Sequence, residues 1–171
     1  MIVLSSTINP TYMPNIQTTR FRTLPHPASV VWPVIADLAA YPAWWPSSAK
    51  VRVLQVVPGL LGSRLEIRPY GGQPFVCTVD GVDAPRSLRM AYSGIYVGRG
   101  AWTLDEEAQG QTRVGYGIDL RIESRFIRLL ARLLPVTALH DRLTDAILDA
   151  LAARVAATAG ASNAGSTPAA S

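Results

Sequence analysis

The sequence is poor in the side chains from which disulfides and metal sites are built. It contains one cysteine, Cys77, so no disulfide can form within the chain. His26 and His140 are the only histidines, and no cluster of cysteines and histidines has the spacing of a metal site. We therefore expect neither a metal nor any other cofactor.

Charge is also scarce. Charged residues make up 16% of the chain, whereas about 25% is usual for a soluble domain. The 16 Lys and Arg residues against 12 Asp and Glu give a net charge of +4, and Lys50 is the only lysine. Arginines alternate with apolar residues in strand-like segments such as Arg64-Leu65-Glu66-Ile67-Arg68. This pattern is typical of the solvated outer face of a sheet, and we expect no nucleic-acid partner.

Long apolar runs and familiar catalytic motifs are missing as well. No stretch of about 18 apolar residues is present, which argues against a membrane-spanning helix. Residues 1–6 lack the basic and long apolar regions of a secretory signal, so we expect a cytoplasmic protein. There is no Gly-x-Ser-x-Gly elbow, phosphate-binding loop or dinucleotide fingerprint. Whether the protein is an enzyme therefore stays open.

The length of 171 residues fits one domain with tails. Residues 1–18 contain Pro10 and Pro14 and are predicted to be a loose tail, in which Met13 is an alternative start of translation. The domain is predicted over residues 19–159. Residues 160–171 are Gly, Ala, Ser, Thr, Asn and Pro only, a composition that predicts disorder.

The first half of the domain predicts one strand, two short helices and then a series of strands. The first strand is expected at 18–24, a helix at 28–38 and a second short helix at 39–45. Pro33 requires the first helix either to kink or to start later. Six strand-like segments follow, at residues 50–57, 63–69, 75–82, 87–93, 99–106 and 112–122. The glycine-rich residues 94–100 are predicted to form a turn at the edge of the sheet.

The last third of the domain predicts a long helix over residues 126–157, bent or divided at Pro135. Its apolar stripe is Leu129, Leu133, Val136, Leu143, Ile147 and Leu151. The charged residues Asp141, Arg142, Asp145 and Asp149 fall largely off this stripe and are expected to face water. The order of elements predicts an α+β domain, in which a curved antiparallel sheet wraps around the C-terminal helix. We expect an apolar cavity between the sheet and that helix.

His140 is the one polar residue within the inward stripe. It is either a core histidine bonded to a backbone carbonyl or tyrosine hydroxyl, or a polar group that orients a ligand or moves a proton. It is the only candidate catalytic residue. The predicted ligand-binding residues are Met90, Tyr92, Tyr96, Trp102, Tyr116, Ile118, Val136, His140 and Leu143.

Several short segments, in this order, resemble a known family. They are Pro27-Ala28-Ser29-Val30-Val31-Trp32, Asp37, Tyr41-Pro42-Ala43-Trp44-Trp45-Pro46, Pro85-Arg86-Ser87-Leu88, Gly100-Ala101-Trp102-Thr103-Leu104 and Thr112-Arg113-Val114. The chain resembles the START-like (SRPBCC) superfamily, in its polyketide cyclase/dehydrase branch. The resemblance implies a helix-grip fold with a cavity under the long helix. It implies no particular catalytic residues, because these vary between branches.

Three functions are compatible with these features. The prediction is a binding protein for an apolar ligand that is lipid-like or aromatic and polyketide-like. The first alternative is a polyketide cyclase or dehydratase that uses His140 as acid or base and a tyrosine to polarise a carbonyl. The second is a membrane-associated lipid exchange protein, suggested by Arg121, Arg125, Arg128 and Arg132 beside an apolar segment. The ligand and the oligomeric state are not predicted.

Overall fold

The computed structural model describes residues 15–122 and 136–164, with side chains for 16–122 and 138–161. The strands are β1 (Asn15–Leu24), β2 (Ala49–Gln55), β3 (Arg64–Pro69), β4 (Phe75–Asp83), β5 (Ser87–Gly94), β6 (Tyr96–Glu107) and β7 (Gln111–Ile122). The helices are α1 (Ala28–Ala36), α2 (Tyr41–Trp44) and α3 (Val136–Ala164). Predictions for residues 123–135, including Leu129, Leu133 and Pro135, lie outside the described residues.

The seven strands form one antiparallel sheet in the order β1-β7-β6-β5-β4-β3-β2. Strands β2 to β7 follow one another as a meander, and β1 joins the far edge beside β7. The sheet curls around α3, which buries Leu143, Ile147, Leu151 and Val155 against it. This architecture, with two short helices after β1, confirms the predicted fold class.

Alternation along the strands decides which side chains reach the inner face. On β5, Leu88, Met90 and Tyr92 are buried, whereas Arg89 between them is exposed. The inner face is therefore apolar, and most charged side chains of the sheet lie on the outer face.

Helix α1 begins at Ala28 and accommodates Pro33. Because proline has no backbone N–H, Pro33 cannot donate the helical hydrogen bond to the carbonyl of Ser29. Both residues lie at the surface, where this carbonyl is accessible to water. The opposite face is buried, as predicted, through Val31 and Ile35. The helix ends at Ala36, before the predicted residue 38, and the buried Leu38 belongs to a short 3-10 helix that follows.

Both ends of the domain extend beyond the predicted boundaries. Strand β1 begins at Asn15, so residues 15–18 belong to the sheet rather than to the N-terminal tail. Ile16 and Thr18 are buried there and pair with strand β7. At the other end α3 continues to Ala164, past residue 159, because alanine-rich sequence favours helix.

The chain does reverse direction within the glycine-rich residues 94–100, between the paired residues Tyr92 and Gly98, but the predicted position at the edge of the sheet was wrong. Only Ile95 separates β5 from β6, and both are interior strands. The glycines also serve close packing. A Cβ at Gly98 would collide with the backbone of Asp119, and one at Gly100 would collide with the Tyr92 phenol.

Three aspartates of α3 are at least partly exposed, but each also contacts strand β1, which the prediction that they face water did not include. Thr18 donates a hydrogen bond to Asp141 at 2.5 Å. The ion pairs Arg20–Asp145 and Arg22–Asp149 continue the series. The contacts join every second residue of β1 to every fourth residue of α3. Two strand residues span about 6.6 Å and four helix residues about 6.0 Å, so the spacing along the strand matches the spacing along the helix. We call this set the β1–α3 ladder.

Candidate ligand-binding site

A small cavity lies between the inner face of the sheet and α3. It encloses about 30 Å³, room for only one or two water molecules. Its walls are Trp45, Ala49, Ile67, Pro69, Phe75, Tyr92, Tyr96, Tyr116, Ile118, Leu120, His140, Leu143 and Ile147. None of these carries a permanent charge. The site is thus apolar except for a few neutral polar groups.

The first polar feature is a pair of buried phenols. The hydroxyl oxygens of Tyr92 and Tyr116 lie 3.0 Å apart. They come from β5 and β7 and meet across β6, at the place where Gly100 leaves room for the Tyr92 ring. Burial raises the pKa of both phenols far above neutrality, so both stay protonated. One hydroxyl donates to the other, which leaves the second proton for another acceptor.

His140 is half-buried on α3 at the edge of the cavity. Burial lowers the pKa of its imidazole, and the nearby carboxylate of Asp141 opposes this shift. The ring is therefore neutral at pH 7, with one donor and one acceptor nitrogen. Hydrogen bonds from other parts of the fold hold α3 at the residues immediately before and after His140. The hydroxyl of Tyr70 donates to the carbonyl of Leu139 at 2.9 Å, and Thr18 donates to Asp141.

Trp45 supplies a third polar group. Its ring stacks on Tyr41, with centroids 4.9 Å apart, and makes an edge contact with Tyr116. In the part of the chain that the structure describes, the buried indole N–H groups of Trp44 and Trp102, which do not line the cavity, have no hydrogen-bond partner. The same is true of the Trp45 N–H. A buried donor without an acceptor costs free energy. A ligand oxygen that accepted this N–H would recover that cost.

The structure brings most of the predicted ligand-binding residues together. Those at the cavity wall are Tyr92, Tyr96, Tyr116, Ile118, His140 and Leu143. Met90 and Trp102 are fully buried in the surrounding core instead of at the wall. Val136 is the first residue of α3, and its side chain lies outside the described ones. That any of these residues binds a ligand stays a prediction.

Sequence reasoning missed several wall residues, including Trp45, Ile67 and Phe75. The alternation in β3 gave a signal for Ile67, since Leu65 and Ile67 share the buried face. Trp45 packs on Tyr41 of α2. That it also reaches the cavity depends on the path of the chain between α2 and β2.

Cys77 lies near the site but is not a nucleophile. It pairs with Tyr92 across β4 and β5 and is 1% exposed. Burial raises the pKa of its thiol to about 12, so the reactive thiolate is negligible at neutral pH. Among the described residues no three His, Cys, Asp or Glu side chains are grouped to hold a metal ion.

A larger concavity lies on the outer face of the sheet. It measures about 810 Å³ and is lined by residues including Gln17, Thr19, Arg89, Arg99 and Asp119. It is open to water and carries charges of both signs, as expected for the solvated face of a sheet. The inner cavity is the better candidate because it is apolar and holds convergent neutral polar groups.

This fold and its inner cavity define a START-like, helix-grip protein. Over residues 15–156 the chain matches the family described as polyketide cyclase / dehydrase and lipid transport. It belongs to this family. No curated protein matches the chain.

Solved structures with the same fold come from bacteria and plants. The Zhui aromatase/cyclase of Streptomyces sp. R1128 is 19% identical, with a TM-score of 0.67, and the match covers 82% of this chain and 93% of that one. A START superfamily protein of Mycobacterium smegmatis is 16% identical, with a TM-score of 0.63 and coverage of 81% and 96%. Norcoclaurine synthase of Thalictrum flavum is 14% identical, with a TM-score of 0.58 and coverage of 86% and 98%. At these identities the likeness shows the fold alone.

Within the described ranges, no helix combines the length and the apolar character needed to cross a bilayer.

Proposed function

We propose that the protein binds an uncharged, apolar small molecule between the sheet and α3. The observation that carries this proposal is the Tyr92–Tyr116 hydroxyl pair, buried in an otherwise apolar wall. Natural ligand sites combine apolar walls with a few polar groups that fix orientation. A core built for stability alone gains little from two buried phenols.

The polar groups also define the ligand. One phenol proton and the Trp45 N–H have no acceptor in the described structure, and His140 adds one donor. These donors suit a ligand with a carbonyl or ether oxygen. A carboxylate or phosphate is disfavoured because none of the described residues that line the cavity is a cation that could offset its desolvation. Aromatic, polyketide-like or neutral lipid-like molecules meet these requirements.

The cavity must expand to accept such a ligand. Its volume is about 30 Å³, whereas sites for drug-sized ligands span about 300–1,000 Å³. Movement of α3 away from the sheet is the direct route, since α3 forms one wall. The ladder ion pairs that hold α3 are 40–61% exposed, and exposed pairs contribute little stability. A ligand would replace the apolar contacts that the helix gives up.

The test compares fluorenone with fluorene, two uncharged aromatic molecules that differ by one carbonyl oxygen. We expect both to bind the protein, fluorenone about fivefold more tightly, as one net hydrogen bond of about 1 kcal/mol predicts. In the double variant Tyr92→Phe/Tyr116→Phe the preference should vanish. Tyr41→Phe, which removes a buried phenol hydroxyl that bonds the Ile35 carbonyl and does not line the cavity, is the matched control. Failure of both molecules to bind, or a preference that survives in the double variant, would count against the proposal.

Catalysis is the second candidate function, and the neutral state of His140 favours it. A neutral imidazole can accept a proton from the carbon next to a carbonyl, while a tyrosine hydroxyl donates to the carbonyl oxygen as charge builds there. The solved aromatase/cyclase shares this fold. His140→Gln should then abolish turnover of a poly-ketone substrate and leave binding of fluorenone intact. Equal loss of both would assign His140 to binding.

Lipid exchange at a membrane is a further possibility, because the family description includes lipid transport. The basic segment that suggested it lies mostly in residues 123–135, outside the described residues. Arg121 alone is described and lies exposed on β7.

A further inference from the structure

The turn between β2 and β3 exposes apolar side chains at one end of the sheet. Residues 54–63 contain no charged side chain. Leu54 is 38% exposed, Val56 is 45% exposed and Leu61 is 60% exposed. We call residues 54–63 the hairpin tip. Exposed apolar side chains clustered in this way mark a contact surface more often than scattered ones do.

The hairpin tip is firmly built, so this exposure does not come from a loose loop. The hydroxyl of Ser63 accepts a hydrogen bond from the amide of Val57 at 2.9 Å. The amide of Gly62 donates to the carbonyl of Val79, and the amide of Val79 donates to the carbonyl of Ser63, both at 2.9 Å. Leu60 adopts a left-handed conformation with φ of 69° to complete the turn. The backbone therefore holds Leu61 in solvent.

The strands that carry the tip have a basic outer face. Residues 49–69 contain four cations, Lys50, Arg52, Arg64 and Arg68, and one carboxylate, Glu66. Leu65 and Ile67 point into the core, so the charged residues between them share the outer face. This short hairpin accounts for +3 of the net charge of +4.

We propose that this hairpin docks the protein on an anionic lipid membrane. The aliphatic tip enters the interface, and the cations of the hairpin's outer face meet lipid phosphates. Buried apolar area and attraction between cations and anionic lipids are the two sources of peripheral membrane binding. A lipid surface fits better than a protein partner because the tip offers aliphatic side chains and no aromatic anchor, whereas protein hot spots favour Trp, Tyr and Arg. The proposal does not depend on the inner cavity.

The test is co-sedimentation of the full chain with vesicles of phosphatidylcholine, with and without phosphatidylglycerol, at low salt. We expect binding to the anionic vesicles only, weakened by added salt. Leu61→Glu and Val56→Glu should lose it. Phe21→Glu is the matched control, because Phe21 is 46% exposed but lies on β1 at the opposite edge of the sheet. Arg64→Gln should weaken binding by about fivefold, the effect of one cation near the surface.

The outcomes separate the alternatives. Absence of binding by the wild-type protein would overturn the proposal and leave the hairpin for a protein partner. Binding that responds to Arg64→Gln but not to Leu61→Glu would show adsorption by charge alone, which also contradicts insertion of the tip. Circular dichroism establishes that each variant is folded. An asparagine substitution at the same position replaces any glutamate variant that is not folded.

Discussion

The packing of Gly100 against Tyr92 gives a direct test of how the site is built. Gly100 lies on β6 between the two strands that carry the phenols, and a Cβ there would overlap the hydroxyl oxygen and ring of Tyr92. Its φ is not left-handed, so alanine can adopt its backbone conformation. The variant Gly100→Ala should therefore push Tyr92 away from Tyr116 without straining the main chain.

Three effects set the size of the change in stability. Overpacking in a core costs about 1–3 kcal/mol, and separation of the hydroxyl pair costs about 1 kcal/mol more. Replacement of glycine by alanine returns about 0.4–1 kcal/mol, because it restricts the unfolded chain. The net expectation is a loss of about 2 kcal/mol in the free energy of unfolding.

Urea denaturation followed by circular dichroism measures this loss, and Gly117→Ala is the matched control. A Cβ at Gly117 would lie 3.2 Å from the Thr19 hydroxyl on the neighbouring strand, and its next neighbours, the Thr19 methyl and the Thr18 carbonyl oxygen, are 3.8 Å and 4.0 Å away. We expect that variant to change the free energy of unfolding by less than about 1 kcal/mol.

A double-mutant cycle identifies the atom responsible. Tyr92→Phe removes the hydroxyl oxygen, which is the atom nearest to the added Cβ. Gly100→Ala should then cost about 1 kcal/mol less in the Tyr92→Phe background than in the wild type. Additive effects, or equal stabilities of Gly100→Ala and Gly117→Ala, would refute this account of the pair.

The remaining predictions concern titration and reactivity. The pKa of Asp145 is lowered, and the largest cause is its hydrogen bond with Arg20. The carboxylate therefore stabilises the fold above its ordinary pKa of 3.8, and this stabilisation is lost as the pH falls below that value. Denaturation curves of the wild type and Asp145→Asn should converge in acid, and a constant difference would contradict the pairing. The lowered pKa of His140 means that the unfolded chain takes up a proton more readily; the wild type should lose stability relative to His140→Gln as the pH falls below about 6.5. The buried Cys77 should react with a thiol reagent only after denaturation, and fast labelling of the native protein would contradict its burial.

The alternation along β7 and the apolar stripe of α3 were enough to predict the sheet and its helix. Local patterns could not predict the β1–α3 ladder. Asp145 and Asp149 look like any solvated helix face until the two-residue repeat of Arg20 and Arg22 is placed beside them. Their pairing arises from contact between elements about 125 residues apart.

The turn prediction explained the glycines of residues 94–100 only in part, for a related reason. A run containing Gly94, Gly98 and Gly100 is typical of a turn, but glycine also serves where backbone or a large ring must approach closely. At Gly100 the approaching group is a tyrosine from the adjacent strand. Tyr92 and Tyr116 could be assigned to the inner face by alternation. That their hydroxyls lie 3.0 Å apart required the register of three strands.

The central claim is that an uncharged ligand occupies the inner cavity, and the indole N–H signals test it most directly. In a two-dimensional ¹H–¹⁵N spectrum titrated with fluorenone, the signal of Trp45, which lines the cavity, should shift. The signal of Trp32, which is not among the cavity-lining residues, should stay in place. Trp→Phe variants assign the two signals. Saturable binding that leaves Trp45 unchanged, or no binding at all, would contradict the claim.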